Sequence, residues 1–200
     1  MISGFKPLVV KENFSLSLQI PVNSRLAVFV VGGGGGSDDA EPGSSGFFKY
    51  VVFESLPNNQ TVSLQLFIGE GGSSGGGDGI PTAVMLDGKE VLSAPGGGGA
   101  GRPGWSGVDT RNSGQGDGGS NGQYGSGEVL PELCEGVVLG PGVAGQEKRG
   151  GLDAGAGGVV VGGQKPTRKN TQDGEGFGAG AGEDNMKGYK GVAVVMYCEN

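Results

Sequence analysis

The stretch Leu26–Asp39, LAVFVVGGGGGSDD, joins an apolar run directly to five consecutive glycines. In many enzymes a strand followed by a glycine-rich turn binds a phosphate, provided that the N-terminus of a helix comes next. Here the turn is followed by SDDAEPGSSG, which contains a proline, more glycines and three acidic residues that would repel a phosphate. The stretch therefore predicts a strand that runs into a glycine-rich element, and it does not predict a nucleotide site.

Glycine accounts for 48 of the 200 residues and proline for 10, a content that without a strict repeat is typical of disorder. The apolar pattern argues against disorder. Residues 14–20, FSLSLQI, and 62–68, VSLQLFI, alternate with the period of two that marks a strand with one buried face. The denser runs 25–31, RLAVFVV, and 47–53, FFKYVVF, predict strands that are buried on both faces.

Two further strand signals lie later in the chain. In TAVMLDGKEVLSA, residues 82–94, Asp87-Gly88 separates two short β-prone runs, and this dipeptide favours the tight primed turn of a hairpin. The run 191–200, GVAVVMYCEN, predicts a closing strand. Because strand patterns lie at both ends of the sequence, we expect the two ends to meet in one sheet assembly. No stretch predicts a convincing amphipathic α-helix.

Between about residues 69 and 191 many glycines are spaced three apart, and a polyproline II helix has three residues per turn. Glycine at every third position leaves one bare stripe, so that neighbouring backbones can approach and their carbonyls can accept N–H and Cα–H bonds. Longer runs such as 96–99 are bare on all sides and suit the centre of a bundle. The spacing of three occurs at the following glycines: Gly101, Gly104, Gly107; Gly116, Gly119, Gly122, Gly125; Gly142, Gly145; Gly155, Gly158; Gly188, Gly191.

The sequence therefore predicts an all-β fold in which a β-sandwich-like frame, essentially without α-helix, holds a bundle of polyglycine II helices. We expect one glycine-rich domain over residues 1–200. Residues 1–68 and 191–200 would form the strand frame, and residues 69–190 the glycine-rich bundle and loops.

The order of the glycine runs resembles that of a known family. RLAVFVVGGGGG, TVSLQLFIGEGGSSGGG, TAVMLDGKEVLSAPGGGGAG and GYKGVAVVMYCEN follow one another along the chain. They are similar to the glycine-rich domains of bacteriophage tail-fibre and tip-adhesin proteins, and to the glycine-rich region of the anaplastic lymphoma kinase receptor. The resemblance implies a polyglycine II bundle with β-strands and a non-enzymatic role in recognition or structure.

Composition excludes several classes of function. The chain has no histidine, so neither a Ser-His-Asp nor a Cys-His arrangement is available, and we expect no enzyme and no cofactor. Two cysteines, Cys134 and Cys198, without histidine make zinc unlikely to bind; whether they pair stays open, with free thiols favoured. A calcium site at Asp78 or Asp117 is the minor alternative to solubilising turn residues, and we predict no metal.

Charge and hydropathy limit the classes of partner that the chain can bind. The net charge of −7 disfavours nucleic acid, and the longest apolar runs, of about six residues, predict no membrane insertion. The N-terminal stretch lacks the pattern of a secretory signal, so either the sequence is that of a mature chain whose signal was removed or the protein is assembled in a cytoplasm. We expect the partner to be a host-surface glycan or protein, or other virion or lattice subunits, and the chain can also form a homo-oligomer.

One loop is a candidate binding surface. The sole tryptophan lies in GRPGWSGVDTRNSG, and arginines flank it. An aromatic ring beside arginines on a polar loop suits the capture of a sugar or a protein epitope. The alternative, equally weighted, is that the tryptophan covers one end of the bundle. The predicted ligand-binding residues are Arg102, Trp105, Asp109, Arg111 and Tyr124.

These observations lead to one functional hypothesis and one alternative. The first is a non-enzymatic virion appendage or surface protein, a tail-fibre or tip component for receptor binding or particle assembly. The alternative is a structural protein that builds an extracellular or particle-coating lattice or fibre through its glycine faces and strand edges. Either one would be found on a virion or an extracellular surface.

Overall fold

A computed structural model describes most of the two ends of the chain and short stretches of its middle. The described residues are 8–22, 24–39, 43–44, 46–53, 61–100, 137–139, 146–148, 151–153, 159–161, 177–178, 180–181 and 185–199. No α-helix occurs among them, and their regular elements are twelve strands. The strands are β1 (Leu8–Val10), β2 (Phe14–Gln19), β3 (Ser24–Val31), β4 (Phe48–Phe53), β5 (Thr61–Phe67), β6 (Thr82–Leu86), β7 (Lys89–Ala94), β8 (Val137–Leu139), β9 (Gln146–Lys148), β10 (Gly151–Asp153), β11 (Val159–Val161) and β12 (Val192–Glu199).

Two antiparallel sheets of four strands each form the frame. The first has the order β1-β12-β3-β4 and the second the order β2-β5-β6-β7. The closing strand β12 lies between β1 and β3, with Val194 opposite Phe29, so the two ends of the sequence meet in one sheet as expected. Two short antiparallel pairs, β8 with β11 and β9 with β10, complete the described strands.

The main core lies between the two sheets. The period of two in β5 puts Val62, Leu64 and Leu66 on its buried face, while the intervening residues are exposed. They meet the alternate residues of β3, among them Leu26 and Val28, which are fully buried. A core of β-branched and leucine side chains between two pleated faces is what stabilises a sandwich.

The central strand β3 is buried on both faces, as its dense apolar run predicts. Its other alternate residues, Ala27, Phe29 and Val31, form a second cluster with Val192 and Val194 of β12. The prediction of two buried faces was wrong for β4, whose residues 49–53 are only half-buried. This strand lies at the edge of the first sheet, so it pairs with β3 on one side only among the described strands.

The Asp87-Gly88 hairpin is confirmed. Both residues have positive φ, 48° for Asp87 and 79° for Gly88, and they connect β6 to β7. The carboxylate of Asp87 accepts a hydrogen bond of 2.8 Å from the amide of Ser63, which ties the turn to β5. The turn therefore also fixes the register of the neighbouring strand.

Seven glycine-rich segments lie beyond the sandwich, and most of them continue its strands. Segment I leaves β3, segment III leaves β5 and segment V leaves β7, whereas segments II, IV and VII lead into β4, β6 and β12. Six of the seven are thus directly continuous with a strand of the frame. The segments are I (32–37), II (43–44 and 46–47), III (69–73), IV (77–81), V (95–100), VI (178 and 180–181) and VII (185–191).

Segment I is the centre of the bundle. Its successive amides donate hydrogen bonds of 2.8 to 3.0 Å to segments II, IV and VII in turn, and then to the same three again. This repeat after three residues is the signature of a polyglycine II helix, in which each turn presents three directions. The donor and acceptor pairs are Gly32–Phe47, Gly33–Ile80, Gly34–Tyr189, Gly35–Ser44, Gly36–Gly77 and Ser37–Met186.

The other three segments donate to the carbonyls of segment I. Gly97 of segment V bonds Gly33, and Gly72 of segment III bonds Gly34. Ala181 of segment VI bonds Gly35. Segment I therefore makes backbone hydrogen bonds to all six of its neighbours, as a donor to three and as an acceptor from three.

The six outer segments form a closed ring in the order II, V, IV, III, VII, VI, because each donates to or accepts from the next. Around this ring, the segments that accept hydrogen bonds from segment I alternate with the segments that donate hydrogen bonds to it. As the residue numbers of the donors in segment I rise, those of their acceptors in segments II, IV and VII fall, so these three segments run antiparallel to segment I. Segment III runs parallel to it, since Gly72 and Gly75 bond Gly34 and Ser37. Segment V does so as well, since Gly97 and Ala100 bond Gly33 and Gly36. The predicted polyglycine II bundle with a sandwich-like frame is confirmed.

Glycine is required where the segments approach one another. A Cβ added to Gly35 would overlap the carbonyl oxygen of Gly98, and one added to Gly33 would overlap that of Glu70. Both separations are below the 3.0 Å that real Cβ atoms keep. These contacts are the Cα–H···O geometry expected between packed polyglycine helices.

Two details of the sequence prediction require comment. The run 96–99 lies in the outer ring and not at the centre of the bundle. The longer run 32–36 occupies the centre, because a central helix needs bare faces toward six neighbours. The proposed division into a frame (1–68 and 191–200) and a bundle (69–190) stays a prediction. Within it, segments I and II already belong to the bundle, and β6 and β7 to the second sheet.

Candidate functional site: bundle tip and flank groove

Segments I, III and V end, and segments IV and VII begin, at the end of the bundle far from the sheets. The turn between segments III and IV bonds Ser37 through the amides of Gly75 and Gly76. Asn185, where segment VII begins, donates its amide to the carbonyl of Asp38. The amide of Ala100 at the end of segment V bonds Gly36. We call this end, built from Ser37, Asp38, residues 74–76, Ala100 and Asn185, the tip.

Left-handed backbone conformations concentrate at the tip. Gly75 and Gly76 have φ values of 84° and 77°, and the non-glycine residues Ala100 and Asn185 have 40° and 62°. A left-handed alanine costs about 1–2 kcal/mol, and such positions occur often at functional sites. Ala100 leads directly into the stretch that carries the predicted binding residues.

The five predicted ligand-binding residues, Arg102, Trp105, Asp109, Arg111 and Tyr124, lie outside the described residues, and their role stays a prediction. Asp117 and Cys134 lie outside them as well. Asp78 is described, and its carboxylate accepts a hydrogen bond of 2.9 Å from the amide of Gly99. This bond links segments IV and V, so Asp78 has a structural task in the bundle.

A groove of about 410 Å³ runs along the seam between segments III and VII on the flank of the bundle. Its floor is the backbone of Gly71 and Gly188, where an added Cβ on Gly71 would overlap the carbonyl oxygen of Gly188. We call it the flank groove. It is lined by Glu70, Gly71, Ser73, Lys187, Gly188, Tyr189 and Lys190.

The register of the two segments sets the chemistry of the groove walls. Gly188 donates to Gly72, and Gly191 to Gly69, so the segments are antiparallel. This pairing puts Lys190 across from Glu70 and Lys187 across from Ser73. Residues three apart lie on the same face of a polyglycine helix, about 9 Å from one another. Each wall thus presents two polar side chains along the groove.

The aromatic member of the groove is held by a second ring. Tyr189 is 37% exposed, and its ring meets that of Phe177 edge to face, with centroids 5.8 Å apart and an interplanar angle of 72°. The ammonium of Lys11 lies 5.5 Å from the centroid of the Phe177 ring. Edge-to-face and cation–π contacts of this kind favour one orientation of a ring.

Sequence reasoning did not find the groove residues. In a polyglycine II interpretation, the spacing of Lys187 and Lys190, and of Glu70 and Ser73, already puts each pair on one face. The adjacency of segments III and VII, more than a hundred residues apart in the chain, could not be inferred from spacing. Within the described ranges no three or more Cys, Asp or Glu side chains lie close enough together to hold a metal ion. No helix in that part of the chain is long and apolar enough to cross a membrane.

The fold defines a class of protein, a β-sandwich extended by a polyglycine II bundle, and one comparison identifies the family. The family model described as a glycine-rich domain matches residues 11–194. The chain therefore belongs to the glycine-rich domain family. No curated protein shows significant sequence similarity to it.

Proposed function

We propose that the chain is a non-enzymatic virion appendage or surface protein, a phage tail-fibre or tip component that serves receptor binding or particle assembly. The observation that carries this proposal is the tip, where segments I, III and V end and segments IV and VII begin at one end of a hydrogen-bonded bundle. Binding residues are disproportionately found on loops that a rigid scaffold positions. The order of the glycine runs, which resembles that of phage tail-fibre and tip-adhesin domains, supports the same function.

The bundle suits a protein that must keep its shape outside a cell. Segment I uses both its amides and its carbonyls in hydrogen bonds to six neighbours, so its rigidity comes from the backbone. Glycine has no side-chain rotamers to restrict, although its backbone loses more conformational entropy on folding than that of any other residue. A fully bonded network is needed to offset that loss, and it resists local opening.

The non-enzymatic part of the proposal rests on side-chain chemistry. Histidine, the most common general acid or base in enzymes, is absent from the sequence. The interior of the bundle consists of backbone, which leaves few positions from which a reacting side chain could be aimed. We expect the partner to be a glycan or protein of a host surface, or another virion subunit, without nucleic acid or membrane insertion.

A lattice-forming structural protein is the second candidate, and one feature favours it. Strand β2 is an edge of the second sheet in the described part of the fold, and Phe14 on it is 49% exposed, as Phe67 on β5 is 47%. An uncovered edge can pair with another chain. Against a lattice through glycine faces, the glycines of segment I are already used inside the bundle.

Light scattering across a concentration series separates the two functions. The appendage proposal expects a compact monomer or small closed oligomer, such as a trimer, at every concentration. Growth into large regular assemblies would favour the lattice instead. Purified protein is then tested for binding to a panel of bacterial surfaces, with Trp105→Ala and Arg102→Ala as variants of the predicted ligand-binding residues and Lys49→Ala on β4 as the control. Loss of cell binding in these two variants alone supports the appendage function, and equal binding by all variants contradicts the assignment of the ligand-binding residues.

A further inference from the structure

We propose that the flank groove is a second binding site, whose ligand is a saccharide chain lying along the seam of segments III and VII. This site goes beyond the tip proposal, because the groove lies on the side of the bundle and uses residues from two different segments. It also does not depend on the chain being part of a virion.

The size and shape of the groove suit a saccharide. Its volume of about 410 Å³ falls within the range of small-molecule sites, roughly 300–1,000 Å³. The floor at Gly71 and Gly188 is bare backbone, so a flat ring can approach it without meeting a side chain. The groove is open along the segments, which permits a chain longer than one sugar unit to continue past it.

The polar groups of the walls match a ligand rich in hydroxyls. A sugar hydroxyl both donates and accepts, and it needs both kinds of partner at close range. The Glu70 carboxylate accepts, the ammonium of Lys190 across the groove donates, and the Ser73 hydroxyl does either. Hydrogen bonds to charged groups are the stronger ones, which favours Glu70 and Lys190 as the main polar contacts.

Tyr189 supplies the apolar surface that the C–H face of a sugar ring requires. Its ring contacts that of Phe177 edge to face, at 5.8 Å and 72°, which favours one orientation and lowers the conformational freedom lost on binding. Tyrosine combines a large contact area with a polar hydroxyl and few rotatable bonds, and for this reason it is enriched in binding surfaces.

A peptide is a poorer match to the same groove. An extended peptide that adds to a backbone edge needs unpaired amides, but the amide of Gly188 on the floor already donates to Gly72. The groove also lacks an apolar pocket for a peptide side chain, because its lining contains one aromatic residue, two glycines and four polar or charged residues.

The test is a titration of the whole ¹⁵N-labelled protein, followed by NMR. The probes are hexamers of maltose-type, cellulose-type, chitin-type and polygalacturonate sugars, each added to millimolar concentration. The expected result is saturable shifts of the Gly71, Gly188 and Tyr189 amides with at least one probe. The polygalacturonate arm shows whether the preferred chain is acidic or neutral. No localised shift with any probe, or shifts confined to residues outside the groove, overturns the proposal.

Matched variants test whether the side chains on the walls of the flank groove bind the saccharide. Glu70→Gln and Lys190→Met are each expected to weaken binding by about tenfold, the loss typical of one hydrogen bond to a charged group. The controls are Glu90→Gln and Lys89→Met, the same changes at exposed positions of β7. Equal affinity of all four variants would contradict the assignment. Trp105→Ala is expected to leave this binding unchanged, so the tip proposal and the groove proposal can fail independently.

Discussion

Substitution of one central glycine tests the bundle most directly. In Gly35→Ala the new Cβ would overlap the carbonyl oxygen of Gly98 and lie 2.9 Å from the amide nitrogen of Gly99. Both atoms belong to backbone, so no side-chain rotation can relieve the overlap. Segment V would have to shift, and the hydrogen bond of 2.8 Å from Ser44 to the same oxygen would be strained.

The expected loss of unfolding free energy follows from these contacts. Overpacking in a tight interior costs about 1–3 kcal/mol, and each weakened hydrogen bond about 1 kcal/mol. The reduced freedom of the unfolded chain returns about 0.4–1 kcal/mol. We therefore expect Gly35→Ala to lower stability by about 3 kcal/mol, a large part of the 5–15 kcal/mol typical of a domain.

The assay is equilibrium urea unfolding, followed by circular dichroism of the strands, with Gly88→Ala as the control. Gly88 has a φ of 79° but nothing within 4 Å of an added Cβ, so this variant measures the backbone cost alone, about 1–2 kcal/mol. If Gly35→Ala were no less stable than Gly88→Ala, segment I would not be packed against segment V as described. Failure of Gly35→Ala to fold while Gly88→Ala folds agrees with the packing.

Three further predictions concern hydrogen bonds and one ionisable group. In hydrogen exchange, the amides of residues 32–37 should exchange as slowly as those of β3, because each is bonded inside the ring; fast exchange there would contradict the central position of segment I. Thr82→Val should cost about 1–3 kcal/mol, since the buried Thr82 hydroxyl accepts a bond of 3.0 Å from Gly69, whereas Thr82→Ser, which keeps the acceptor, should cost clearly less in thermal unfolding. Burial raises the pKa of Tyr197 above its ordinary value of 10, so the folded state holds the phenol proton more tightly than the unfolded state does. The free energy of unfolding should therefore fall as pH rises above about 10. Tyr197→Phe should lose less stability over the same pH range, and equal pH profiles of the two proteins would contradict the assignment.

The frame was predictable because its signals are local. The alternation of Val62, Leu64 and Leu66 directly gives the buried face of β5, and Asp87-Gly88 gives the turn with positive φ. The burial of β3 on both faces follows from its unbroken apolar run. Edge position is not local information, and for that reason the similar run in β4 was assigned too much burial.

The bundle was predictable as a type but not as an arrangement. Glycine spacing shows that helices with three residues per turn can pack, and Gly188 and Gly191 do bond segment III as that spacing suggests. The ring order II, V, IV, III, VII, VI follows from contacts between distant parts of the chain. Glycine runs of nearly identical sequence do not indicate which of them pack against one another. The flank groove depends on that order, so its residues could not be grouped from the sequence.

The central position of segment I has a consequence for synthesis on the ribosome. Segment I is made before segment VII, but two of its six amides have their acceptors at Met186 and Tyr189, about 150 residues later in the chain. Loop closure over such a distance makes folding slow and leaves partly built states exposed. The nascent protein therefore cannot complete its bundle until segment VII has emerged, and a chain that stops before residue 185 leaves the amides of Gly34 and Ser37 without these acceptors. Completion of the bundle thus requires that translation has passed segment VII.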